Sequence, residues 1–247
     1  MTSRETTPLL TLKHEEAGWR PSFADRAHLL LYGAIGWPWL LKSLYGGSKA
    51  ARRRLEATLD LGPAALPNLG SWKADAGFLQ LIADHILEAR PRTVVELGAG
   101  ATSLVAARAL QLNGDGGRLV SFDQHAQFIE ATHAWLREHG LDASMNHAPL
   151  RRSPGGWPGM WYDHGPLPEQ IDLLVVDGPP WTIHPFVRGA AETLFSRIAP
   201  GGTVMLDDAA RPGERVVARR WRRRWPNFDF RLSHAGTKGT LIGVRRS

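Results

Sequence analysis

The sequence predicts an α/β fold in which parallel strands alternate with helices. Three apolar runs, 93–97, 118–123 and 171–177, each carry an acidic residue at or near the end, and each precedes a stretch of helix-forming character. A fourth run, 203–208, ends in two adjacent acids. Alternating strands and helices form parallel sheets, which bind ligands in the crevice at the carboxyl ends of the strands.

A glycine turn follows the first of these runs. Val94 and Val95 are β-branched and suit a strand covered on both faces. Gly98 and Gly100, on either side of Ala99, allow the backbone to turn sharply and a ligand to lie against it. We expect the turn to lead directly into a helix.

The start of that helix has the character of an anion-binding site. Thr102 and Ser103 lie in its first turn, where free N–H groups and hydroxyls bind carboxylate or phosphate. A dinucleotide site requires a third glycine at the position of Ser103, so the dinucleotide fingerprint is absent. Glu96, two residues before the first glycine, stands on a buried strand and therefore needs a partner, which favours a role in holding a cation.

The second run ends in Asp123, 25 residues after Gly98. An acid at this position can accept hydrogen bonds from both ribose hydroxyls of a nucleoside, and we expect its neighbour Gln124 to contact the same ligand. Asp123 could also cap the helix that follows at 126–139, and the two roles are compatible.

Further strands complete the predicted sheet. One is expected near 143–148, and a helix over about 184–198 separates Asp177, at the end of the third run, from Asp207 and Asp208. The chain closes with two expected strands, 227–234 and 239–245, joined by a glycine-containing turn.

The pattern Glu-x-Gly-x-Gly, from Glu96 to Gly100, resembles motif I of the class I S-adenosylmethionine-dependent methyltransferases. The resemblance extends in order and spacing from about residue 72 to the C-terminus. It implies a Rossmann-like, doubly wound, mostly parallel seven-stranded sheet with an antiparallel C-terminal hairpin. It also implies an enzyme that transfers a methyl group from S-adenosylmethionine.

The resemblance places the cofactor. The acid of the motif would lie below the methionine amino group, the glycine turn would face the methionine portion, and the end of the second strand would hold the adenosine. Trp72 lies in a segment that often forms a lid over the cofactor, although a packed tryptophan in a linker is the alternative. The expected cofactor-binding residues are Glu96, Gly98, Ala99, Gly100, Thr102, Asp123, Gln124 and Trp72.

Val-Asp-Gly at 176–178 and Leu-Asp-Asp at 206–208 resemble the catechol O-methyltransferase-like branch, whose members methylate small molecules. Metal-using members hold a divalent cation such as Mg²⁺ with acids that match Asp177, Asp207 and Asp208. Such a cation would bind a substrate hydroxyl and lower its pKa. The alternative is that Asp177 only positions the substrate and that the two later acids cap the next helix.

The sequence departs from this branch at Pro180, where the catechol enzymes carry a lysine general base. His184 is the nearest other candidate for a base, because the pKa of histidine suits proton transfer near neutral pH. Its alternative role is capping or packing. The predicted catalytic residues are therefore Asp177 and His184.

Composition fits one α/β core with an appendage. The chain has 247 residues, of which 43% are apolar, and no cysteine, which excludes disulfides, zinc thiolates and a cysteine nucleophile. The N-terminal residues have no signal-peptide pattern, so we expect a cytoplasmic protein. We predict a helical extension over 1–70 and the methyltransferase domain over 71–247.

Three segments have competing interpretations. The uncharged stretch 29–41 is too short to span a bilayer. It could pack on the core or on a second subunit of a homodimer, lie in a membrane interface, or cover the substrate as a lid. The aromatic loop 151–165 either walls the substrate or packs onto the domain.

The third segment is the arginine cluster Arg219–Arg224. Val217, Trp221 and Trp225 share one helical stripe, which favours a helix docked on the sheet with its arginines in solvent. Because the net charge is +6, the alternative is a nucleic-acid-binding patch on an RNA-directed methyltransferase or on a non-catalytic binding protein. The expected partner is a small-molecule acceptor, methylated at a hydroxyl oxygen.

Overall fold

The strands follow the apolar runs of the sequence. The structure is a computed structural model that describes residues 21–63, 65–70 and 73–246. Its strands are β1 (Thr93–Leu97), β2 (Arg118–Asp123), β3 (Ser144–His147), β4 (Leu150–Arg152), β5 (Met160–Tyr162), β6 (Ile171–Val176), β7 (Ile198–Leu206), β8 (Phe228–Ser233) and β9 (Thr240–Arg245). Its helices are α1 (Phe23–Ser43), α2 (Lys49–Thr58), α3 (Ala76–Ala89), α4 (Ala101–Asn113), α5 (Ala126–Glu138) and α6 (Pro212–Arg224).

Seven strands form one sheet in the order β3-β2-β1-β6-β7-β9-β8. The pairs among β3, β2, β1, β6 and β7 are parallel, and β9 runs antiparallel to both β7 and β8. The prediction of a Rossmann-like, mostly parallel sheet with an antiparallel C-terminal hairpin is therefore confirmed. Every residue of β1 is buried, because helices or loops cover both faces of the sheet.

Two apolar layers cover the sheet. Helices α2 to α5 form one layer, whose core includes Leu55, Phe78, Leu104 and Trp135. The other layer contains α6, the small β4–β5 hairpin and a 3-10 helical stretch over Val187–Arg197. Short turns therefore form the carboxyl edge of the sheet, where the parallel strands end.

Two elements of the second layer differ from the sequence prediction. The segment expected as a helix over 184–198 is the 3-10 stretch, in which the Trp157 ring packs so closely on Gly189 that a Cβ there would lie 2.2 Å from it. The aromatic loop 151–165 contains the β4–β5 hairpin. Its strands are three residues long, too short for an alternating pattern to show.

The N-terminal extension contains α1 and α2. Helix α1 includes the whole uncharged stretch and begins with a capping box in which Ser22 and Asp25 satisfy each other's backbone groups. Several large apolar side chains on its outer side are exposed, among them Leu30 and Trp37. Among the described residues, no helix has the length and apolar character needed to cross a bilayer. A boundary near residue 70 stays a prediction.

Candidate active site

The glycine turn after β1 packs against the turn after β6. Gly98 has φ +100°, and a Cβ there would lie 2.7 Å from the backbone nitrogen of Gly178. Gly100 has φ +149°, and a Cβ there would approach only the Phe128 ring, at 3.7 Å. The positive φ of Gly98 agrees with the sharp turn expected from the sequence, and the close approach of Gly178 is a further reason for glycine at this position.

Glu96 lies buried below this turn. Its Oε2 accepts hydrogen bonds from the hydroxyls of Ser103, at 2.6 Å, and Ser121, at 2.5 Å. Ser103 also accepts a hydrogen bond from the backbone nitrogen of Gly100, at 2.9 Å. The other carboxylate oxygen, Oε1, is buried and meets no hydrogen-bond partner in the described part of the chain. Burial raises the pKa of Glu96 to about 7, so a cationic ligand that reaches Oε1 would favour the ionised form.

Asp123 stands at the end of the neighbouring strand. Because Glu96 pairs in register with Ser121, Asp123 lies two residues further along β2, at the same edge of the sheet. Its Oδ1 accepts a hydrogen bond from the backbone nitrogen of His125, at 2.9 Å, which orders the start of α5. Burial raises the pKa of Asp123 to about 7. The acid predicted below the methionine amino group, Glu96, and the acid predicted to bind the ribose, Asp123, therefore lie on adjacent strands.

The remaining predicted cofactor residues surround these acids. Thr102 lies in the first turn of α4, close enough to Glu96 for its side chain to oppose the rise in the pKa of that acid. Gln124 follows Asp123 and is also buried, and its Oε1 meets no hydrogen-bond partner among the residues described. Ala99 lies between the two glycines. Trp72 lies outside the described residues.

The turns after β6 and β7 bring three acids together. Asp177, Asp207 and Asp208 each offer a carboxylate oxygen, and these oxygens lie within 4.8 Å of one another. Asp177 is 15% exposed, whereas the other two are almost completely buried. The three residues predicted as metal ligands therefore lie together, and their binding of a metal stays a prediction.

Three buried or half-buried cations that sequence reasoning missed also lie in this cluster. Arg188 Nη1 is 3.1 Å from Asp208 Oδ2, and Arg188 Nη2 is 3.6 Å from Asp177 Oδ1. Arg211 Nη1 is 2.9 Å from Asp208 Oδ2. The ammonium of Lys238 is 3.6 Å from a carboxylate oxygen of each of the two later acids. Three protein cations therefore lie beside the three clustered acids.

The cluster as it stands does not fit a divalent ion. Carboxylate oxygens are suitable ligands, and both oxygens of Asp207 meet no hydrogen-bond partner among the described residues. However, two like charges 4 Å apart repel by about 4 kcal/mol at an effective dielectric constant of ~20, so a divalent ion beside Lys238 would meet about twice that repulsion. A metal at Asp177, Asp207 and Asp208 would have to displace Lys238, Arg188 or both.

Titration of the three acids reflects these neighbours. Burial and the adjacent Asp208 carboxylate raise the pKa of Asp207 well above its usual range. Burial also raises the pKa of Asp177 to about 6, although Arg188 opposes the shift. For Asp208, the effect of burial is outweighed by Arg211, Lys238 and Arg188, which hold its pKa far below the usual value.

His184 packs against α1. Its Nδ1 accepts a hydrogen bond from the backbone nitrogen of Phe186, at 3.1 Å, and its Nε2 lies 3.8 Å from Asp25 Oδ1. The ring also contacts His28 and Phe186, with centroids 5.5 and 5.0 Å away. Burial lowers the pKa of His184 to about 4, below the range in which a general base works best. These contacts favour a packing role, and the assignment of His184 as a base stays a prediction.

The β4–β5 hairpin brings Tyr162 to the junction of the two turns. A Cβ at Gly178 would lie 2.1 Å from the Tyr162 hydroxyl oxygen, which is buried and meets no hydrogen-bond partner among the described residues. Burial and nearby carboxylates, first Asp123, raise the pKa of Tyr162 well above its usual value, so the hydroxyl stays protonated. The residue is therefore a neutral donor at the edge of the glycine turn that follows β1.

Trp157, in the same hairpin, packs elsewhere. Its Nε1 donates a hydrogen bond to Glu192 Oε1, at 2.8 Å, and the Arg220 guanidinium lies over its ring at 3.9 Å from the centroid. This tryptophan joins the 3-10 stretch to α6. The packing interpretation therefore applies to Trp157, while Tyr162 is the aromatic residue of the loop that reaches the site.

Comparison with known proteins agrees with this geometry. Residues 95–209, from β1 to the turn after β7, match a family model described as a methyltransferase domain. A search of curated protein sequences gave no match.

Several solved structures share the fold. A methyltransferase from Geobacter sulfurreducens has a TM-score of 0.53 and 18% identity, with 87% of this chain and 97% of that one covered. The S-adenosylhomocysteine-bound methyltransferase of Podospora anserina has a TM-score of 0.53 and 13% identity, with coverage of 93% and 100%. An O-methyltransferase from Bacillus cereus, in complex with S-adenosylhomocysteine, has a TM-score of 0.51 and 13% identity, with coverage of 88% and 100%.

Proposed function

We propose that the chain, whose residues 95–209 match a methyltransferase-domain model, is an S-adenosylmethionine-dependent enzyme that methylates a hydroxyl oxygen of a small molecule bound beside Asp177. The observation that carries this proposal is the contact between the two turns. Gly178, next to Asp177, packs against Gly98 of the cofactor turn. An acceptor held by Asp177 would therefore lie next to the donor end of the cofactor.

Each half of the site has a distinct task. S-adenosylmethionine supplies a methyl group that its sulfonium already activates, so the protein has to bind, orient and exclude water. Glu96 would hold the methionine ammonium through Oε1, and Asp123 and Gln124 would hold the adenosine. Gly98, Ala99, Gly100 and Thr102 would shape the turn over the methionine portion.

Asp177 is the acid we assign to the acceptor. It is the most exposed of the three clustered acids, and Arg188 fixes one side of its carboxylate. With a pKa of about 6, it is mostly ionised at neutral pH and can accept a hydrogen bond from an acceptor hydroxyl. Oxygen as the target is supported by analogy, because the Bacillus cereus protein that shares the fold is an O-methyltransferase.

The metal predicted from the sequence does not enter this proposal as a reaction step. If a divalent ion bound at Asp177, Asp207 and Asp208, it would lower the pKa of an acceptor hydroxyl. The buried cations beside these acids argue against that role. Turnover measured with Mg²⁺ and with a chelator tests the point, since a rate abolished by chelation would restore the metal.

An RNA acceptor is the alternative that the fold disfavours. Helix α6 begins at the turn after β7 and ends four residues before β8, which runs in the same direction as β7. Its last turns therefore lie near the amino edge of the sheet, about 20 Å from the carboxyl edge that binds ligands. The cluster Arg219–Arg224 faces away from the proposed active site.

We also assign a partner to the outer face of α1. This partner is a second copy of the chain. Phe23, Leu30, Trp37 and Leu44 recur every seven residues and are all exposed. A seven-residue apolar repeat is the spacing by which one helix packs on another in a left-handed pair. A membrane interface is the competing occupant, and a vesicle-binding test separates the two.

The experiment that tests the enzymatic proposal has two arms. Isothermal titration with S-adenosylhomocysteine should give saturable heat that Asp123→Ala reduces at least tenfold in affinity. Incubation with methyl-labelled S-adenosylmethionine and a panel of small hydroxyl compounds should transfer label to the organic extract. Label that appears only in added tRNA would replace the small-molecule proposal, and absence of titration heat would reject the cofactor site.

A further inference from the structure

We infer that Lys238 is the resident cation of the Asp177, Asp207 and Asp208 cluster, and that its ammonium takes the electrostatic place of a divalent ion. The inference deepens the proposed function and rests on it in one respect, the placing of the acceptor at Asp177. It concerns two residues that lie outside the acidic turns, Lys238 and Arg188.

The backbone holds Lys238 in place. The residue lies in the turn between β8 and β9, and its side chain is only 3% exposed. Its Nζ donates a hydrogen bond to the backbone oxygen of Lys73, at 3.0 Å. Its own backbone oxygen accepts from the nitrogen of Ala210, at 3.0 Å, and the oxygen of Gly239 accepts from Ala209, at 2.9 Å. The turn that carries the ammonium is therefore fastened to the turn that carries the acids.

The ammonium lies between two carboxylates. Its Nζ is 3.6 Å from Asp207 Oδ2 and 3.6 Å from Asp208 Oδ1. These are the residues that would supply two of the three ligands to a metal. A buried lysine at that position is costly unless it remains paired, so the ammonium depends on these two acidic residues.

Arg188 links the turn that carries Asp177 to the turn that carries Asp207 and Asp208. A metal bound by these acids would make the same link. Its guanidinium donates to the backbone oxygens of Pro179, at 3.2 Å, and Asp207, at 3.3 Å, and to that of Asp177. It also pairs with Asp208 at 3.1 Å. Arg188 is thus a positioning residue that fixes the Asp177 turn relative to β7.

A functional consequence follows from this charge balance. The two inner acids are buried beside protein cations, so Asp177, the most exposed of the three, is the one left for an acceptor. Methyl transfer then depends on how the acceptor and the sulfonium are placed, and it proceeds with no divalent ion. Lys238 acts as a positioning residue through Asp207 and Asp208.

Manganese binding tests the inference without reference to turnover. Paramagnetic resonance and isothermal titration with MnCl₂ would compare the full-length wild type, Lys238→Met and Lys49→Met. Lys49 is exposed at the start of α2, so its replacement changes the net charge equally without touching the cluster. We expect Lys238→Met to bind Mn²⁺ at least tenfold more tightly than the other two proteins, and Mn²⁺ to raise the melting temperature of that variant alone.

A wild type that binds Mn²⁺ as tightly as Lys238→Met would overturn the inference, and so would a variant that gains no affinity. If Lys238→Met does not fold, the Mn²⁺ affinity of the wild type is compared with that of Asp207→Asn instead. The inference then predicts that the wild type binds Mn²⁺ weakly and that Asp207→Asn does not change this affinity. Tight Mn²⁺ binding by the wild type that is lost in Asp207→Asn would contradict the inference. Because S-adenosylhomocysteine binding and label transfer are measured separately, failure of the proposed function would be recognised independently.

Discussion

The carboxylate of Glu96 is the residue whose protonation should govern cofactor binding. Its pKa is about 7 because burial outweighs the hydrogen bonds from Ser103 and Ser121. A bound ammonium near Oε1 would favour the ionised form and release a proton. We therefore expect the affinity for S-adenosylhomocysteine to rise between pH 6 and pH 8. Isothermal titration in buffers of different ionisation enthalpy measures both the affinity and the proton release.

The matched variants for that experiment are Glu96→Gln and Glu138→Gln. The first removes the titrating carboxylate, so it should bind at least tenfold more weakly, with a smaller dependence on pH. The second alters an exposed glutamate of α5 and should behave like the wild type. Unchanged binding and pH dependence in Glu96→Gln would show that the ammonium is held elsewhere.

Gly178 and Tyr162 should show strong energetic coupling. A Cβ at Gly178 would lie 2.1 Å from the Tyr162 hydroxyl oxygen and 3.1 Å from Gly98 Cα. Gly178→Ala is therefore expected to destabilise the fold by about 1–3 kcal/mol through overpacking. Tyr162→Phe removes the closest obstructing atom, so the same change should cost clearly less in that background. Urea unfolding of the four proteins gives the coupling free energy.

Tyr45→Phe provides the control for this cycle, because Tyr45 is exposed on the N-terminal extension. It should leave the cost of Gly178→Ala unaltered. An equal cost of Gly178→Ala in the wild-type and Tyr162→Phe backgrounds would mean that the hydroxyl does not limit the space at this turn.

Helix α6 has a buried side that packs on the core and an exposed side that carries arginines, so the two sides can be tested by separate substitutions. Trp221 is fully buried, donates a hydrogen bond to the Gly189 oxygen at 2.9 Å, and lies 4.8 Å from the Phe195 ring. Trp221→Ala should cost about 3–5 kcal/mol of unfolding free energy. Arg222 is exposed, so Arg222→Ala should change stability by less than about 0.5 kcal/mol. Chemical denaturation of both variants checks this contrast.

The same element tests the nucleic-acid alternative. Arg220 and Arg224 donate to backbone oxygens of the β4–β5 hairpin, and Arg224 also pairs with Glu192. These contacts explain part of the arginine run without a ligand. Salt-dependent retardation of tRNA that Arg222→Ala and Arg223→Ala abolish would contradict this structural role.

The outer face of α1 makes an element-scale prediction about assembly. Trp37 and Leu30 are 58% and 77% exposed, and their replacement by glutamate would place charge in the apolar repeat. We expect sedimentation equilibrium to give a dimer for the wild type and a monomer for Leu30→Glu/Trp37→Glu. A monomeric wild type that sediments with anionic vesicles would favour the membrane interface instead.

For the molecule as a whole, buried acids should make the apoprotein less stable at higher pH. Burial raises the pKa of Glu96, Asp123 and Glu214 to about 7, so the folded state binds more protons than the unfolded state. The stability that these groups contribute is lost as the pH rises through 7. His184 has a lowered pKa, and its contribution is lost only as the pH falls below about 6.5.

The useful window is therefore pH 6.5 to 8, where the stability lost by the acids outweighs the small remaining gain from His184 and from His85, whose pKa is also lowered by burial. The melting temperature of the apoprotein should fall across this window, and Glu96→Gln should reduce the fall. Differential scanning calorimetry measures it. A melting temperature that rises across the window would contradict the assignment of these acids as protonated groups in the folded state.

Much of the fold could be predicted because short sequence patterns determine where its strands and helices lie. The runs 93–97, 118–123 and 171–177 correspond to β1, β2 and β6, and helices were expected where α4 and α5 stand. Apolar residues in an unbroken run indicate a buried parallel strand, and glycines or acids mark its end. The 3-10 stretch and the β4–β5 hairpin escaped prediction because packing between distant segments determines them.

The sequence by itself determined the sheet, the glycine turn with Glu96, the acid at Asp123 and the convergence of Asp177, Asp207 and Asp208, since parallel strands bring their carboxyl ends to one edge. Only the tertiary structure decided what surrounds those acids. Arg188, Lys238 and Tyr162 come from a 3-10 stretch and two hairpins, and nothing in their local sequence indicates where they meet. A carboxylate can be located from its own strand, but its charge partner depends on how the whole chain packs.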